Sequence, residues 1–259
     1  MKKSDEPLFV TAPEFYWNIR WDCIFSHNEL ASVSDYAIDH VPAALTAIVT
    51  EFPFHSYGPL LVLAGTLAVL IETNIPGIYQ SINYCLIASN THHRETGATS
   101  ISMLPKRNVS WIDFGKKIGE MDDLFAFRLS ERLNVAVLKK STIQSEHVVD
   151  GKYSAGFDNL IIKDCPFSIE ICLDYDSTGY SQNVHAPSTE SSKIDFLLAC
   201  GMPLNKNHRY PRTVQYAVRN DGINKGLVEI HAVRNSQLDR AVPLFNSSRG
   251  IHLARLKID

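Results

Sequence analysis

The sequence lacks the features that would place it in a disulfide-bonded, membrane-spanning or nucleic-acid-binding class. Its five cysteines are an odd number without a Cys-x-x-Cys pair, so we expect no disulfide framework and a reducing compartment. The longest apolar run, residues 59–71, is too short to span a bilayer and predicts a buried strand. The net charge of −3 argues against a broad nucleic-acid-binding surface.

Several functional motifs are also absent. The chain has no Gly-x-Ser-x-Gly element, no P-loop and no Gly-x-Gly-x-x-Gly fingerprint. His92 and His93 lack companion ligands at metal-site spacing, and residues 174–176 do not form a calcium loop. No signal peptide precedes the first apolar segment. We therefore expect a cytoplasmic protein without a metal or organic cofactor and without nucleic-acid or membrane partners.

The sequence has the composition of an ordinary globular domain, with 45% hydrophobic and 20% charged residues. It contains no repeat and no linker, so we expect residues 1–259 to form a single domain. Helical spacing predicts helices at residues 35–52, 112–132 and 210–220. Interleaved helices and strands indicate a layered α/β or α+β fold. Short apolar runs bounded by turn residues predict strands at 8–12, 60–66, 81–88, 99–104, 160–162, 167–173, 194–200, 226–233 and 252–257.

Cys172 is the strongest candidate for a chemical role. A cysteine on an apolar strand is commonly a small core residue, and this interpretation fits Cys85 and Cys200. Cys172 differs because polar residues follow it at once, so its thiol lies where the strand leaves the core. The polar segment 174–192 is suited to form a loop at a pocket wall. This position favours a nucleophile.

Glu14 and Lys106 also follow β-like runs. Glu14 ends an apolar strand and precedes three aromatic residues, so burial would raise its pKa and make it a usable base. The alternative is a capping or surface glutamate at a strand end. Lys106 could direct an ammonium group at a developing oxyanion, whereas a lysine followed by Arg107 is more commonly a solvated edge.

Taken together, the three segments resemble the nitrilase, or carbon–nitrogen hydrolase, superfamily. Residues 10–14 (VTAPE) resemble the family's strand that ends in Pro-Glu. Residues 171–174 (ICLD) resemble its nucleophile motif, with Leu173 in place of the usual aromatic. Lys106 follows a strand, where the family's lysine is expected. Three flanking segments also resemble family strands: residues 61–66, 79–87 with Asn83, and 193–203.

The resemblance implies a four-layer α-β-β-α sandwich. It also implies hydrolysis of a non-peptide C–N bond, with an amide favoured over a nitrile. In this interpretation Glu14 is the base, Cys172 is the nucleophile and Lys106 stabilises the oxyanion, without a cofactor. Two alternatives stay open: an N-acyltransferase that uses the same triad, and a nitrilase-like binding protein that has lost catalysis.

Three departures from the family pattern carry further expectations. Family members usually begin with another strand and helix, so we expect an N-terminally short member with an uncovered edge that favours self-association. The resemblance also implies a homodimer and a small-molecule amide or nitrile substrate. The family often has a further glutamate after the lysine. Glu120 is the nearest glutamate, whereas Asp113 is closer but shorter. Residues 199–203 (ACGMP) are unusual for their strand end and bring a second thiol, Cys200, near the site.

Overall fold

The protein is a mixed α/β structure with two principal β-sheets and few helices. The computed structural model describes residues 6–92, 99–140, 148–149, 152–153, 161–162, 165–177, 192–223, 227–246 and 251–258. Within these ranges the helices are α1 (His27–Thr50), α2 (Phe54–Tyr57) and α3 (Leu173–Ser177), with a 3₁₀ turn at Trp21–Cys23. No helix in this part of the chain is long and apolar enough to cross a membrane.

The first sheet has seven strands in the spatial order β1-β2-β3-β7-β6-β5, and β4 pairs with the second half of β3. The β1–β2 pair is parallel, and β2–β3 is antiparallel. Its strands are β1 (Leu8–Thr11), β2 (Leu60–Glu72), β3 (Ile78–His92), β4 (Thr99–Pro105), β5 (Lys116–Glu120), β6 (Leu124–Arg128) and β7 (Asn134–Leu138).

The second sheet has five strands in sequential order, the first three parallel and the last two antiparallel. Two short ribbons complete the β-structure. In chain order these strands are β8 (Val148–Val149), β9 (Lys152–Tyr153), β10 (Phe167–Ile171), β11 (Ile194–Ala199), β12 (Tyr216–Asp221), β13 (Leu227–Arg234), β14 (Gln237–Ala241), β15 (Phe245–Asn246) and β16 (His252–Leu253).

The two sheets pack face to face around one apolar core. Because side chains alternate across a strand, every second residue of the central strands points into this interface. Strand β10 is buried on both faces, although the polar residues Ser168 and Glu170 alternate with its apolar ones. The interface residues include Leu61, Leu63, Cys85 and Ile87 from the first sheet, and Phe167, Ile169, Phe196 and Leu198 from the second.

The outer faces of the sheets are covered differently. Leu45 and Val49 of α1 belong to the cluster on the outer face of the first sheet. On the second sheet, Tyr175 of α3 and residues Tyr210 and Val214 cover β11 and β12. The outer layer on this side is therefore a short helix and a loop, within the described residues.

Two of the predicted helices are wrong. Residues 112–132 contain the hairpin β5–β6, joined at Asp122–Asp123, and burial along both of its strands alternates with the period of two that is typical of a strand. Residues 210–220 contain a loop and then β12, which lies against β11 in parallel. Pairing of β12 with β11 on one side and β13 on the other overrides the helical spacing there.

The remaining predicted elements differ mainly in their limits. Helix α1 begins at His27, earlier than expected, because Ser26 caps it by accepting a hydrogen bond from the Glu29 N–H. Strand β2 continues to Glu72, as the apolar run predicts. Residues 161–162 are not in a strand, and residue 160 lies outside the described part of the chain. Only residues 252–253 of the final predicted strand pair with another strand.

Candidate active site

The turn after β1 directs Glu14 into the protein interior. Pro13 ends the strand pairing, and Phe15, with a φ of 61°, donates its N–H to Thr66 Oγ1 at 2.9 Å. This turn packs directly on Gly65, where a Cβ atom would lie 2.3 Å from the Pro13 carbonyl oxygen. A glycine is therefore required at that position. The Glu14 side chain is only 2% exposed as a result, so the surface-glutamate alternative is wrong.

Lys106 follows β4 and is anchored by its backbone N–H, which donates to Asn83 O at 2.6 Å. Its Nζ donates to Glu14 Oε1 at 2.8 Å and to Asp113 Oδ2 at 2.8 Å. Asp113 Oδ2 also accepts from the Ser110 N–H at 2.9 Å, which fixes the loop after the lysine. Lys106 is 3% exposed, so the solvated-edge alternative is wrong.

Cys172 occupies a sharp turn between β10 and α3. Its φ of 45° lies in the left-handed region, which is strained for a residue with a side chain. Its N–H donates to Leu198 O at 2.9 Å, and its carbonyl accepts from the Tyr175 N–H at 3.0 Å, so both sides of the turn are fixed. The thiol contacts Cys200 O at 3.9 Å. Strain of this kind is concentrated at functional sites.

The structure brings together the three residues that the sequence predicts. Glu14 and Lys106 come from the first sheet and Cys172 from the second, and each of the three shifts the pKa of another. Asn83 Nδ2 donates to Glu14 Oε1 at 3.0 Å, the same oxygen that accepts from Lys106. Glu14 Oε2 is buried and accepts no hydrogen bond from the described residues. This oxygen is therefore the one available to take a proton.

Burial and neighbouring charges set the protonation states. Burial raises the pKa of Glu14 to about 7, although the Lys106 ammonium opposes this shift. Burial alone would lower the pKa of Lys106, but the Asp113 and Glu14 carboxylates outweigh it and raise that pKa above its ordinary value. Burial and the Glu14 charge raise the pKa of Cys172. The resting nucleophile is thus a thiol, and its attack requires a base that acts during the same step.

Asp113, not Glu120, is the second acid of this cluster. Glu120 lies at the end of β5 on the surface, where it pairs with Lys117 and Lys139. Asp113 is buried, and burial raises its pKa against the opposing effect of Lys106. Its short side chain reaches the lysine because the chain turns back on itself at Ser110.

Asp174 connects the nucleophile turn to the lysine segment. Its Oδ2 accepts from the Arg107 N–H at 2.7 Å, and its Oδ1 accepts from the Asn108 N–H at 3.0 Å and from Asn108 Nδ2 at 2.9 Å. Sequence reasoning missed this connection, although the motif that contains Cys172 includes the aspartate. Charge-assisted hydrogen bonds of this kind are among the stronger ones, so they hold the two segments in register.

Cys200 lies beside the cluster, as the sequence predicts. Burial raises its pKa to about 11, and the carboxylates of Glu14, Asp113 and Asp221 add to this shift. Among the described residues, no group of three or more His, Cys, Asp and Glu side chains could hold a metal ion. Residues 178–191, most of the predicted loop after Cys172, lie outside the described part of the chain, and residues 173–177 form α3.

Neither models of known protein families nor a search of curated proteins gives a significant match to this chain.

Proposed function

We propose that this protein is a carbon–nitrogen hydrolase of the nitrilase type, which cleaves a non-peptide amide through a cysteine thioester. The observation that carries the proposal is the buried ammonium of Lys106, bonded to two carboxylates beside a strained cysteine. Buried ion clusters are expensive to desolvate and contribute little net stability, so a structural role explains this one poorly. A carboxyl pKa of about 7 next to a thiol is suited to general-base catalysis.

In the first half of the reaction, Cys172 Sγ attacks the amide carbonyl carbon while its proton passes to Glu14 Oε2. The Lys106 ammonium and a backbone N–H near Leu173 stabilise the oxyanion that develops. Lys106 is held by Glu14 and Asp113 before substrate arrives, so little reorganisation is needed. The C–N bond then breaks, Glu14 returns the proton to the nitrogen, and ammonia or an amine leaves a thioester.

In the second half, Glu14 takes a proton from water, and the resulting hydroxide attacks the thioester carbon. The carbon–sulfur bond breaks, the carboxylic acid is released, and the proton on Glu14 returns to the Cys172 sulfur. The sum is an amide and water giving an acid and an amine. No redox step or external proton donor is required.

The proposal extends to the architecture of the family, a four-layer α-β-β-α sandwich. Its support is the face-to-face packing of the two sheets, with α1 outside the first and α3 outside the second. The homodimer is also a proposal. Strand β1 is at the edge of its sheet and exposes Leu8 and Val10, which would favour association.

The proposal is tested by trapping the acyl-enzyme. The protein is incubated with a panel of small aliphatic and aromatic amides, and intact mass and peptide mapping locate any adduct. We expect an acyl group on Cys172, its transfer to added hydroxylamine, and no adduct in Cys172→Ala. The matched variant Cys200→Ser should still acylate. An acyl group on Cys200, or turnover by Cys172→Ala, would overturn the assignment.

The two alternatives give different results in the same assay. An acyltransferase would pass the acyl group to an added amine in preference to water. A binding protein without catalysis would form no adduct with any amide. The raised pKa of Cys172 is the observation that favours this second alternative, because a protonated thiol is a weak nucleophile.

A further inference from the structure

The first observation concerns the open edge of β1. Leu8 and Ala12 donate their N–H groups to β2, so the backbone groups of Thr11 point away from β2. No strand of the sheet lies on that side. The Thr11 carbonyl is instead bound by Asn220 of the second sheet, whose Nδ2 donates to Thr11 O at 3.0 Å and to Thr11 Oγ1 at 3.1 Å. Thr11 is three residues before Glu14.

The segment Pro13–Glu14 is packed between two glycines. A Cβ at Gly65, in β2, would meet Pro13 O at 2.3 Å, and one at Gly222, directly after β12, would meet Glu14 O at 3.4 Å. Pro13 has no N–H to donate, so the hydrogen-bond pairing of β1 does not continue through this segment. The end of β12 therefore provides the contact that fixes the segment from the side of the second sheet.

The end of β12 is itself held firmly. Asp221 Oδ1 accepts from the N–H groups of Gly201 at 2.9 Å and Ile223 at 3.0 Å, and its Oδ2 pairs with Arg219. Gly201 follows Cys200, whose carbonyl contacts the Cys172 thiol. The end of β12 thus contacts both the segment that carries Glu14 and the turn at Gly201, which lies beside Cys172.

We propose that Asn220 is a positioning residue, which holds the Glu14 carboxylate in register with the Cys172 thiol across the interface between the sheets. The proposal depends on the proposed function for the role of Glu14 as the base. Loss of the Asn220 amide would free the Thr11–Glu14 segment on one side. The hydrogen bonds between Lys106 and Asp113 do not involve Asn220 and should remain.

The test uses Asn220→Ala with Asn90→Ala as a matched control. Asn90 is also a buried asparagine that bridges two carbonyls, donating to Phe52 O at 2.6 Å and to Gly58 O at 2.9 Å. Asn90 lies near the end of β3, and its Oδ1 accepts from the Leu60 N–H at the start of β2, whereas Glu14 follows the end of β1, which is parallel to β2. The two substitutions therefore remove buried amide contacts at opposite ends of the β1–β2 pair.

The first measurement is the pH dependence of Cys172 alkylation by iodoacetamide, with the site resolved by peptide mass. Because the Glu14 charge raises the pKa of Cys172, Glu14→Gln should move the alkylation profile to lower pH. Asn220→Ala should move the alkylation profile in the same direction, whereas Asn90→Ala should leave it unchanged. In a variant that already carries Glu14→Gln, adding Asn220→Ala should cause no further shift. Thr11→Val removes the hydroxyl acceptor but keeps the carbonyl, so it should shift the alkylation profile less than Asn220→Ala does. This variant replaces Asn220→Ala in the test if Asn220→Ala does not fold.

The second measurement is turnover of any amide that acylates the wild type. We expect Asn220→Ala to lower kcat by about 10- to 100-fold with little change in KM, as for a small displacement of a catalytic group. Asn90→Ala should keep kcat. If Glu14→Gln shifts the alkylation profile and Asn220→Ala does not, the positioning role is overturned and the proposed function is untouched. If both shift it while no amide is turned over, the positioning role stands and the proposed function fails.

Discussion

Replacement of Lys106 with Met should strongly destabilise the protein. The substitution keeps an apolar stem of similar length but removes an ammonium that lies 2.8 Å from both Glu14 and Asp113. The two carboxylates would then be buried without the ammonium that neutralises them. Breaking a buried pair in this way costs about 3–5 kcal/mol of unfolding free energy at pH 8. Because domains are stable by only about 5–15 kcal/mol, the loss would be a large fraction of the total.

The destabilisation should depend on pH with a definite sign. Lys106 is the leading influence that lowers the pKa of Glu14 and of Asp113, so both pKa values rise further without it. A carboxyl group whose pKa is higher in the folded than in the unfolded state favours folding at low pH, and this contribution is lost as the pH rises through the folded value. The deficit of Lys106→Met relative to the wild type should therefore be larger at pH 8 than at pH 5.5.

Urea denaturation at the two pH values measures this deficit. The control is Lys117→Met, which removes a partly exposed lysine that pairs with Glu120 and should cost less than about 1 kcal/mol. The double variant Lys106→Met/Asp113→Asn should recover part of the loss, because one of the two unpaired charges is gone. Equal losses for the two lysines, or a deficit that is the same at both pH values, would refute the electrostatic account.

Three further predictions concern single residues. Cys172→Ala should keep the melting temperature within a few degrees and abolish turnover, whereas residual wild-type activity would exclude Cys172 as the nucleophile. Glu14→Gln should lower kcat/KM by about 10²- to 10⁴-fold and remove the loss of activity below pH 7; an unchanged acidic limb would point to another base. Burial raises the pKa of Asp195 from 3.8 to about 6. Asp195→Asn should therefore gain about 1 kcal/mol of stability over the wild type between pH 5 and pH 8, and a constant difference in urea titrations would contradict this.

The ends of strands can be predicted from the sequence more reliably than the contacts between segments that are distant in the sequence. Glu14 and Cys172 could be predicted because each directly follows an apolar run, and this local signal survives in the structure. The burial of Lys106 could not be predicted, because its partner Glu14 is 92 residues away and its neighbour Arg107 suggests a solvated edge. For the second acid, the sequence does not decide between Asp113 and Glu120. Asp113 contacts Lys106 because the backbone turns at Ser110, and the sequence composition does not reveal that turn.

The failures in secondary structure have a related cause. The mixture of charged and apolar residues at 112–132 is compatible with helical spacing, whereas the structure buries alternate residues of two strands there. Helical spacing places Asn220 in a helix, so the sequence does not predict its contact with Thr11, 209 residues away. Periodicity reports which face of an element is buried, but not which distant segment covers that face.

The location of Cys172 between two sheets also bears on how the protein folds. Its neighbours Glu14 and Lys106 are far away in sequence, and contacts of large sequence separation form slowly. In a chain whose sheets have not yet docked, the thiol has a pKa of about 8.5, lower than in the folded protein. Docking therefore protects the cysteine. A brief pulse of alkylating reagent during refolding would label chains that are still open, and the decay of labelling at Cys172 would time the closure of the sheet interface.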